Sequence, residues 1–522
     1  MSASARPHFV TIAQGQLRFW YAGRGAPVVV LPGLIRAAKT VCETLATRFQ
    51  DHSFHVFELP GIGASSVPRP DLNIASVAGS LADAIAAMRL IGAPVVAFDL
   101  AAPVAAALPG ASRRSMVELD TARSWAANGY NPPDLSLRDD GSHLTALFAH
   151  LRNAHVLDPK GNRRAARQGL PLPDPEALNE MVLTAGLEPS RYAALWSVCL
   201  SGVAQLGDYL PTSLEGLDQA LGPSSGQDHH ESMVQPYRSG IWRDYVDISR
   251  GRIHLRRAGH GGRPLIALHS APGSAAPLTP LIQGLGASRS VIAPDFIGNG
   301  ESSRPDAPVD IARLGQDVVE LAKALGLEHY DLWGTHTGAL VALEAALQSP
   351  ARVSRVVLEA PPLLTPEFAA DLLANYFPEL VPDAWGLYLQ QAWNMRRDMF
   401  LFWPWYRAER GAARPLAVPD APFLHDWVMG LLRSGRTYHR SYRAAFEYDS
   451  RKHLPRLSAP TMLCAGPADM LADALVTARS LLRDDAVIAS TPATVWYPDQ
   501  GDEAIDQTLL MYQTFLDGSS AS

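Results

Sequence analysis

Short apolar runs ending at turn residues recur along this chain, and they come in two matching series. Residues 27–31 (PVVVL) and 264–268 (PLIAL) each read as a buried parallel strand, because so short an apolar run, bounded by turn formers, has no polar face to offer solvent. After the second run come HSAPGSA at 269–275, VIAPDFIGNGESS at 291–303, a helix predicted over 311–325, YDLWGTHTGALVALEAAL at 330–347 and RVSRVVLEAPP at 352–362. After the first come LPGLIRA at 31–37, FHVFELPGIGASS at 54–66, a helix predicted over 74–88, PVVAFDLAAPVAAAL at 94–108 and RRSMVELD at 113–120. This alternation of strand and helix predicts an α/β chain built on doubly wound, mostly parallel sheets.

The correspondence extends to LPDPEALNEMVLTAGLEPSRYAAL at 172–195 and VPDAPFLHDWVMGLLRSGRTYHRSY at 418–442, and tandem duplication is its economical explanation. Beyond these segments the copies part. The second continues into APTMLCAGPADML (459–471) and TVWYPDQGDE (494–503), for which the first shows no counterpart. The expected organisation is a truncated, degenerate α/β domain over 1–220, a Gly/Ser-rich polar linker over 221–241 and a complete domain over 242–518, with a helical cap at about 361–457.

Charge narrows the ligands. Lys and Arg number 45 against 52 Asp and Glu, a formal charge of -7, which offers no footprint for nucleic acid or an anionic membrane and leaves small molecules as the expected partners. Cys42, Cys199 and Cys464 form no CxxC pair, so neither a disulfide framework nor a zinc cage is expected, and a reducing cytoplasm fits. No segment approaches the roughly 18 apolar residues of a membrane span, and the N-terminus lacks a basic region followed by an apolar one. His229, His230 and Glu231 fall in the predicted linker, where a chance cluster is the expectation; no metal or other cofactor is called for.

Four motifs carry the candidate chemistry. They are His269-Ser270-Ala271-Pro272-Gly273, the spaced set Asp295, Gly298, Gly300 and Ser302, the strand-to-helix turn Gly334-Thr335-His336-Thr337-Gly338, and Gly466-Pro467-Ala468-Asp469. In this order and spacing they resemble the α/β-hydrolase superfamily, particularly its capped branch of haloalkane dehalogenases, epoxide hydrolases and carbon-carbon bond hydrolases. The resemblance covers nearly all of residues 243–518. It implies that His336 occupies the nucleophile elbow in place of the family's serine, that the backbone N–H groups of Ala271 and Thr337 form an oxyanion hole, and that Asp469 is the catalytic acid. Ser270 replaces the glycine usual in the family's His-Gly-x-Pro loop. The C-terminal loop, Pro-Gly-x-Gly-His in the family, reads Pro498-Asp499-Gln500-Gly501-Asp502 here; this sets Asp502 at the usual histidine site, or Asp499 or Gln500 under a small loop shift.

An imidazole flanked by Asp469 and Asp502 suits general-base catalysis, since a carboxylate on one ring nitrogen fixes the tautomer that lets the other accept a proton. The expected activity is hydrolysis or lyase-type cleavage of a small apolar carbonyl compound or ester. The alternative is an inactive binding or scaffold protein, because shared fold alone does not carry function. In the first copy the elbow reads Ala97-Phe98-Asp99-Leu100-Ala101, with both glycines lost, which points to a scaffold or a dimerisation element of a homodimer. The cap is rich in aromatic residues: Trp385, Trp393, Trp403, Trp405 and Trp427 lie in it. An apolar or aromatic substrate is therefore expected, in a pocket lined by His269, Ser270, Trp403, Trp405, Tyr406 and Tyr438. Arg396, Arg397, His425 and His439 are candidate anchors for it.

Overall fold

The computed structural model describes residues 4–66, 71–157, 165, 170–222 and 240–518. Most of the predicted linker, including His229, His230 and Glu231, lies outside the described residues. The chain divides into two compact units, Met1–Tyr237 with Pro382–Gln390, and Arg238–Val381 with Gln391–Ser522. Residues 382–390, which the sequence places in the cap, thus group with the first unit. No helix among the described residues is long and apolar enough to cross a membrane.

Among the described residues the first unit is built on seven strands: β1 (Arg6–Ile12), β2 (Gly15–Gly23), β3 (Ala26–Leu31), β4 (His52–Phe57), β5 (Val95–Phe98), β6 (Arg114–Val117) and β7 (Pro211–Thr212). Their order is β1-β2-β4-β3-β5-β6-β7, antiparallel through β1, β2 and β4 and parallel thereafter. Val28, Val30, Phe54, Val56, Val96 and Phe98 pack on the helix Ala38–Arg48. The two-residue β7 corrects the expectation that this copy stops without a further strand; Pro211–Thr212 has no apolar run to announce it.

The second unit has eight among the described residues: β8 (Trp242–Ile248), β9 (Gly251–Ala258), β10 (Leu265–Leu268), β11 (Val291–Pro294), β12 (Tyr330–Thr335), β13 (Val353–Glu359), β14 (Thr461–Ala465) and β15 (Val487–Ser490). The order β15-β14-β13-β12-β10-β11-β9-β8 runs parallel except where β9 pairs with β8 and β11. Successive strand residues face opposite sides. Ile266, Leu332, Val356 and Leu463 accordingly enter one core, and Leu265, Trp333, Val357 and Met462 the other. The predicted helix over 311–325 spans Ile311–Ala324, begun by the Asp310 side chain, which accepts the Arg313 N–H at 2.8 Å.

Both units close the turn after their fourth-placed motif strand with the same hydrogen bonds. Ser65 Oγ donates to Glu58 O (2.8 Å) and accepts from Arg18 N (3.0 Å). In the second unit Ser302 Oγ donates to Asp295 O (2.7 Å) and accepts from His254 N (2.9 Å). The register Leu268↔Gly334 and Thr335↔Glu359 aligns the carboxyl ends of β10, β12 and β13, so the loops bearing His269, His336 and Asp469 leave one edge of the sheet. In open α/β sheets this is where ligands bind.

Candidate active site

The chain must reverse between β12 and the helix Thr337–Gln348, and His336 takes the turn at φ 49°, ψ -116°. A side chain in that region is strained by roughly 1–3 kcal/mol. Two glycines make the turn sterically feasible. A Cβ on Gly334 would fall 2.1 Å from Gly338 O, and one on Gly338 would fall 2.1 Å from Leu268 O. Because the obstacle at Gly338 is the β10 backbone, Gly338→Ala is expected to lower stability by about 1–3 kcal/mol. Denaturant unfolding would show this as a lower midpoint at unchanged m.

The elbow directs the imidazole toward the loop after β14. His336 Nε2 lies 2.8 Å from Asp469 Oδ2, a carboxylate whose other oxygen accepts the Leu471 N–H at 2.9 Å. Burial opposes ionisation of Asp469, but the charge and hydrogen bond of His336 and the Leu471 amide outweigh it and hold the carboxyl below its usual value. Nδ1 makes no hydrogen bond among the described residues, and His336 lines a cavity within the second unit. Thr337 holds the first helical position, where the N–H has no intrahelical acceptor and the helix dipole favours negative charge. Ala271 lies on the cavity wall.

The third expected member does not join them. Asp502 is exposed and opens the helix Asp502–Asp517, where an acidic residue in the first turn complements the dipole. The loop after β15 instead brings Trp496 to the elbow, its ring edge-on to His336 with centroids 5.3 Å apart. Glu359, fully buried at the end of β13, fixes that ring by accepting its Nε1–H at 2.7 Å and the Tyr512 hydroxyl at 2.6 Å. Neither Glu359 nor Trp496 was singled out from the sequence; a lone acid closing the apolar run VVLE is the one signal that marks Glu359.

His269 and Ser270 line the cavity. Both His269 nitrogens are engaged, Nδ1 with Ser270 O at 2.7 Å and Nε2 with the Phe296 N–H at 3.2 Å, so its ring braces the loop. Trp403, Trp405, Tyr406 and Tyr438 do not line it. The helix Leu387–Leu401 ends just after Met399 and Phe400, which do, and the rings that follow turn into the cap. Trp403 packs edge-on against Phe368 and Tyr376. Trp405 Nε1 donates to Tyr376 O, the Tyr406 hydroxyl to Asp371, and the Tyr438 hydroxyl to Pro378 O. The wall is supplied instead by Tyr376, Arg396, Arg414, Trp427, Tyr442 and Tyr497. Of the candidate anchors only Arg396 is there.

The corresponding turn of the first unit is closed to substrate. Asp99, at φ 38° and fully buried, accepts the Leu34 N–H at 3.1 Å, the Leu100 N–H and an Arg36 guanidinium N–H; Arg36 also pairs with Glu118. Burial pushes the Asp99 carboxyl up to about 6, while Arg36 and the two amides pull the other way. The amides that would greet an oxyanion are thus taken by the protein's own carboxylate.

A family model described as alpha/beta hydrolase fold matches residues 263–399. The proline iminopeptidase of Heyndrickxia coagulans is 32% identical over 136 residues, 25% of this chain and 47% of that protein. The 2-hydroxymuconate semialdehyde hydrolase of Pseudomonas putida is 34% identical over 157 residues, 29% and 51% of the two chains. This chain therefore spans about half the length of these two curated relatives. RutD of Azorhizobium caulinodans, to which carbamate hydrolase activity is assigned by name, is 31% identical over 213 residues, 41% of this chain and 76% of that protein. With the family model spanning the strands and loops that build the elbow, and likeness to RutD over three quarters of its length, the chain belongs to the α/β-hydrolase superfamily.

Proposed function

We propose that the second unit is a hydrolytic enzyme in which His336, steadied by Asp469, activates water against a carbonyl held over the amides of Ala271 and Thr337. The observation that carries this reading is the 2.8 Å contact from Asp469 to Nε2 of an elbow imidazole that lines the cavity and whose Nδ1 has no hydrogen bond among the described residues. Nδ1 takes a proton from water as the water oxygen bonds to the carbonyl carbon; the oxyanion collapses, the bond to the leaving group breaks, and Nδ1 returns the proton to it. Water, not His336, becomes part of the product. Hydrolysis is preferred to lyase-type cleavage because the relatives carry hydrolase and peptidase names. A small, largely apolar substrate suits walls that include Phe400, Trp427 and Trp496.

The first unit is the degenerate copy of a tandem duplication and serves as a scaffold or as the dimerisation element of a homodimer. The shared strand order of the two sheets and the paired bonding of Ser65 and Ser302 support the duplication. Internal capture of Asp99 supports the loss of chemistry. The three cysteines are buried and unpaired, as suits a reducing cytoplasm.

Asp469→Asn tests the dyad, with p-nitrophenyl esters of short acids as substrates. Removing the charge that orients the imidazole is expected to lower kcat by roughly 10²-fold or more with a smaller effect on KM. The same variant carries a stability signature. A carboxyl held below its ordinary value contributes stability that is fully present above that value, about 4, and is lost as the pH falls through the lower folded-state value. The stability gap between parent and variant should therefore close as the pH falls below about 4. Unchanged kcat would remove Asp469 from the mechanism.

A further inference from the structure

Arg396 is 4% exposed, on the cavity wall. A guanidinium so enclosed is unfavourable unless anions or a full set of acceptors meet it. Here one Nη donates to Pro272 O and the other to the Met399 sulfur at 3.5 Å, while the buried Nε has no acceptor among the described residues. The guanidinium also lies over the face of Trp427, 4.9 Å from the ring centroid. The ionisable groups around it are the hydroxyls of Tyr376, Tyr438 and Tyr442, all of which burial pushes upward, so none supplies negative charge near neutral pH. Desolvation brings Arg396 itself down only to about 10, and it stays charged.

A second cation on the same wall, Arg414, is half-buried and feels the charge of Asp469. Arg414 donates to Met399 O at 2.6 Å, Ala468 O at 3.3 Å and the Tyr497 hydroxyl at 3.2 Å, and forms no salt bridge among the described residues. The cavity wall also contains Asp426, an exposed residue whose carboxylate meets the charge of Arg256. Arg396 also has a defined place relative to the chemistry. The carbonyl it holds belongs to Pro272, next to Ala271, and a Cβ at Gly273 would lie 3.2 Å from its Nη2. An anion on this guanidinium therefore sits beside the loop that would receive the oxyanion.

We propose that the substrate carries a carboxylate, bound by Arg396 next to the reacting carbonyl, with its apolar body against Phe400, Trp427 and Trp496. This rests on the hydrolytic reading for the word substrate, but the anion site is testable by binding alone. The probes are 3-phenylpropanoate and its uncharged match 3-phenylpropanamide, titrated into the full chain at pH 7.5 and followed by tryptophan fluorescence and calorimetry. A charge-assisted hydrogen bond in an enclosed site should make the acid bind roughly 10- to 100-fold more tightly than the amide. Arg396→Gln should abolish that preference while leaving the amide within about 3-fold, and Arg396→Lys should retain part of it. The comparison in the parent protein requires no variant and stands even if Arg396→Gln fails to fold. Equal affinities, preference for the amide, binding of neither probe at millimolar concentration, or a preference surviving in a folded Arg396→Gln protein would each overturn the site. In His336→Gln the acid preference should persist while turnover falls, so loss of the anion site and loss of the catalytic reading give different results.

Discussion

Replacing His336 by glutamine is expected to lower kcat for ester hydrolysis by roughly 10²- to 10⁴-fold, the range for removing a positioned general base. Glutamine is the informative choice because its amide can still donate to Asp469 Oδ2, the acceptor that His336 Nε2 meets at 2.8 Å. Asp469 is 6% exposed, and alanine would leave it buried without that donor, mixing a folding defect of several kcal/mol into the kinetic result. The glutamine variant should therefore keep its melting temperature within a few degrees of the parent while losing turnover. His336→Ser should not rescue activity, even though it restores the residue usual in the family. The position from which a base would serve that serine is filled by Trp496, held by Glu359. Turnover by the serine variant above that of the glutamine variant would show that some other group near the elbow accepts the proton.

Arg36→Met is expected to destabilise the protein by about 3 kcal/mol at pH 7.5, because it leaves the fully buried Asp99 without its counter-ion. The pH dependence distinguishes this from lost packing. Burial raises the Asp99 carboxyl to about 6 in the folded protein, and a group with a raised folded value gives stability that is complete below its unfolded value, about 4, and lost as the pH rises through the folded value. Arg36 limits that loss in the parent. Without it, the folded value climbs further and the loss at neutral pH deepens. Below about pH 5 Asp99 is largely protonated in both proteins, and the deficit should shrink accordingly. A deficit constant from pH 5 to 7.5 would mean that packing of the Arg36 side chain, whose guanidinium lies over the Phe98 ring, is what matters.

Much of the architecture was legible because it is written locally. The apolar run at 264–268 became Leu265–Leu268, and the helices predicted over 311–325 and 74–88 became Ile311–Ala324 and Ile74–Ala87, each begun by a side-chain cap on Asp310 or Asn73. His336 and Asp469 could be paired because each sits in a turn whose glycine spacing is itself a structural requirement. Asp502 failed for the converse reason. No motif holds the loop after β15, and an acidic residue there is better placed starting a helix than facing a buried carboxylate. The cavity wall was least legible. Alternating aromatics at 399–406 say that rings are present, but the helix end at Leu401 decides which of them face the cavity, and Tyr376, Arg414 and Tyr497 come from segments far apart in the chain.

The account stands most directly on whether hydrolysis proceeds without an acyl-enzyme on serine. Whole-protein mass spectrometry after saturating treatment with a fluorophosphonate, alongside residual ester hydrolysis, reads this in one experiment. Activation of water by His336 predicts a serine-unmodified protein that keeps its activity; a stoichiometric adduct on Ser270 or any other serine, with activity lost in proportion, would contradict it.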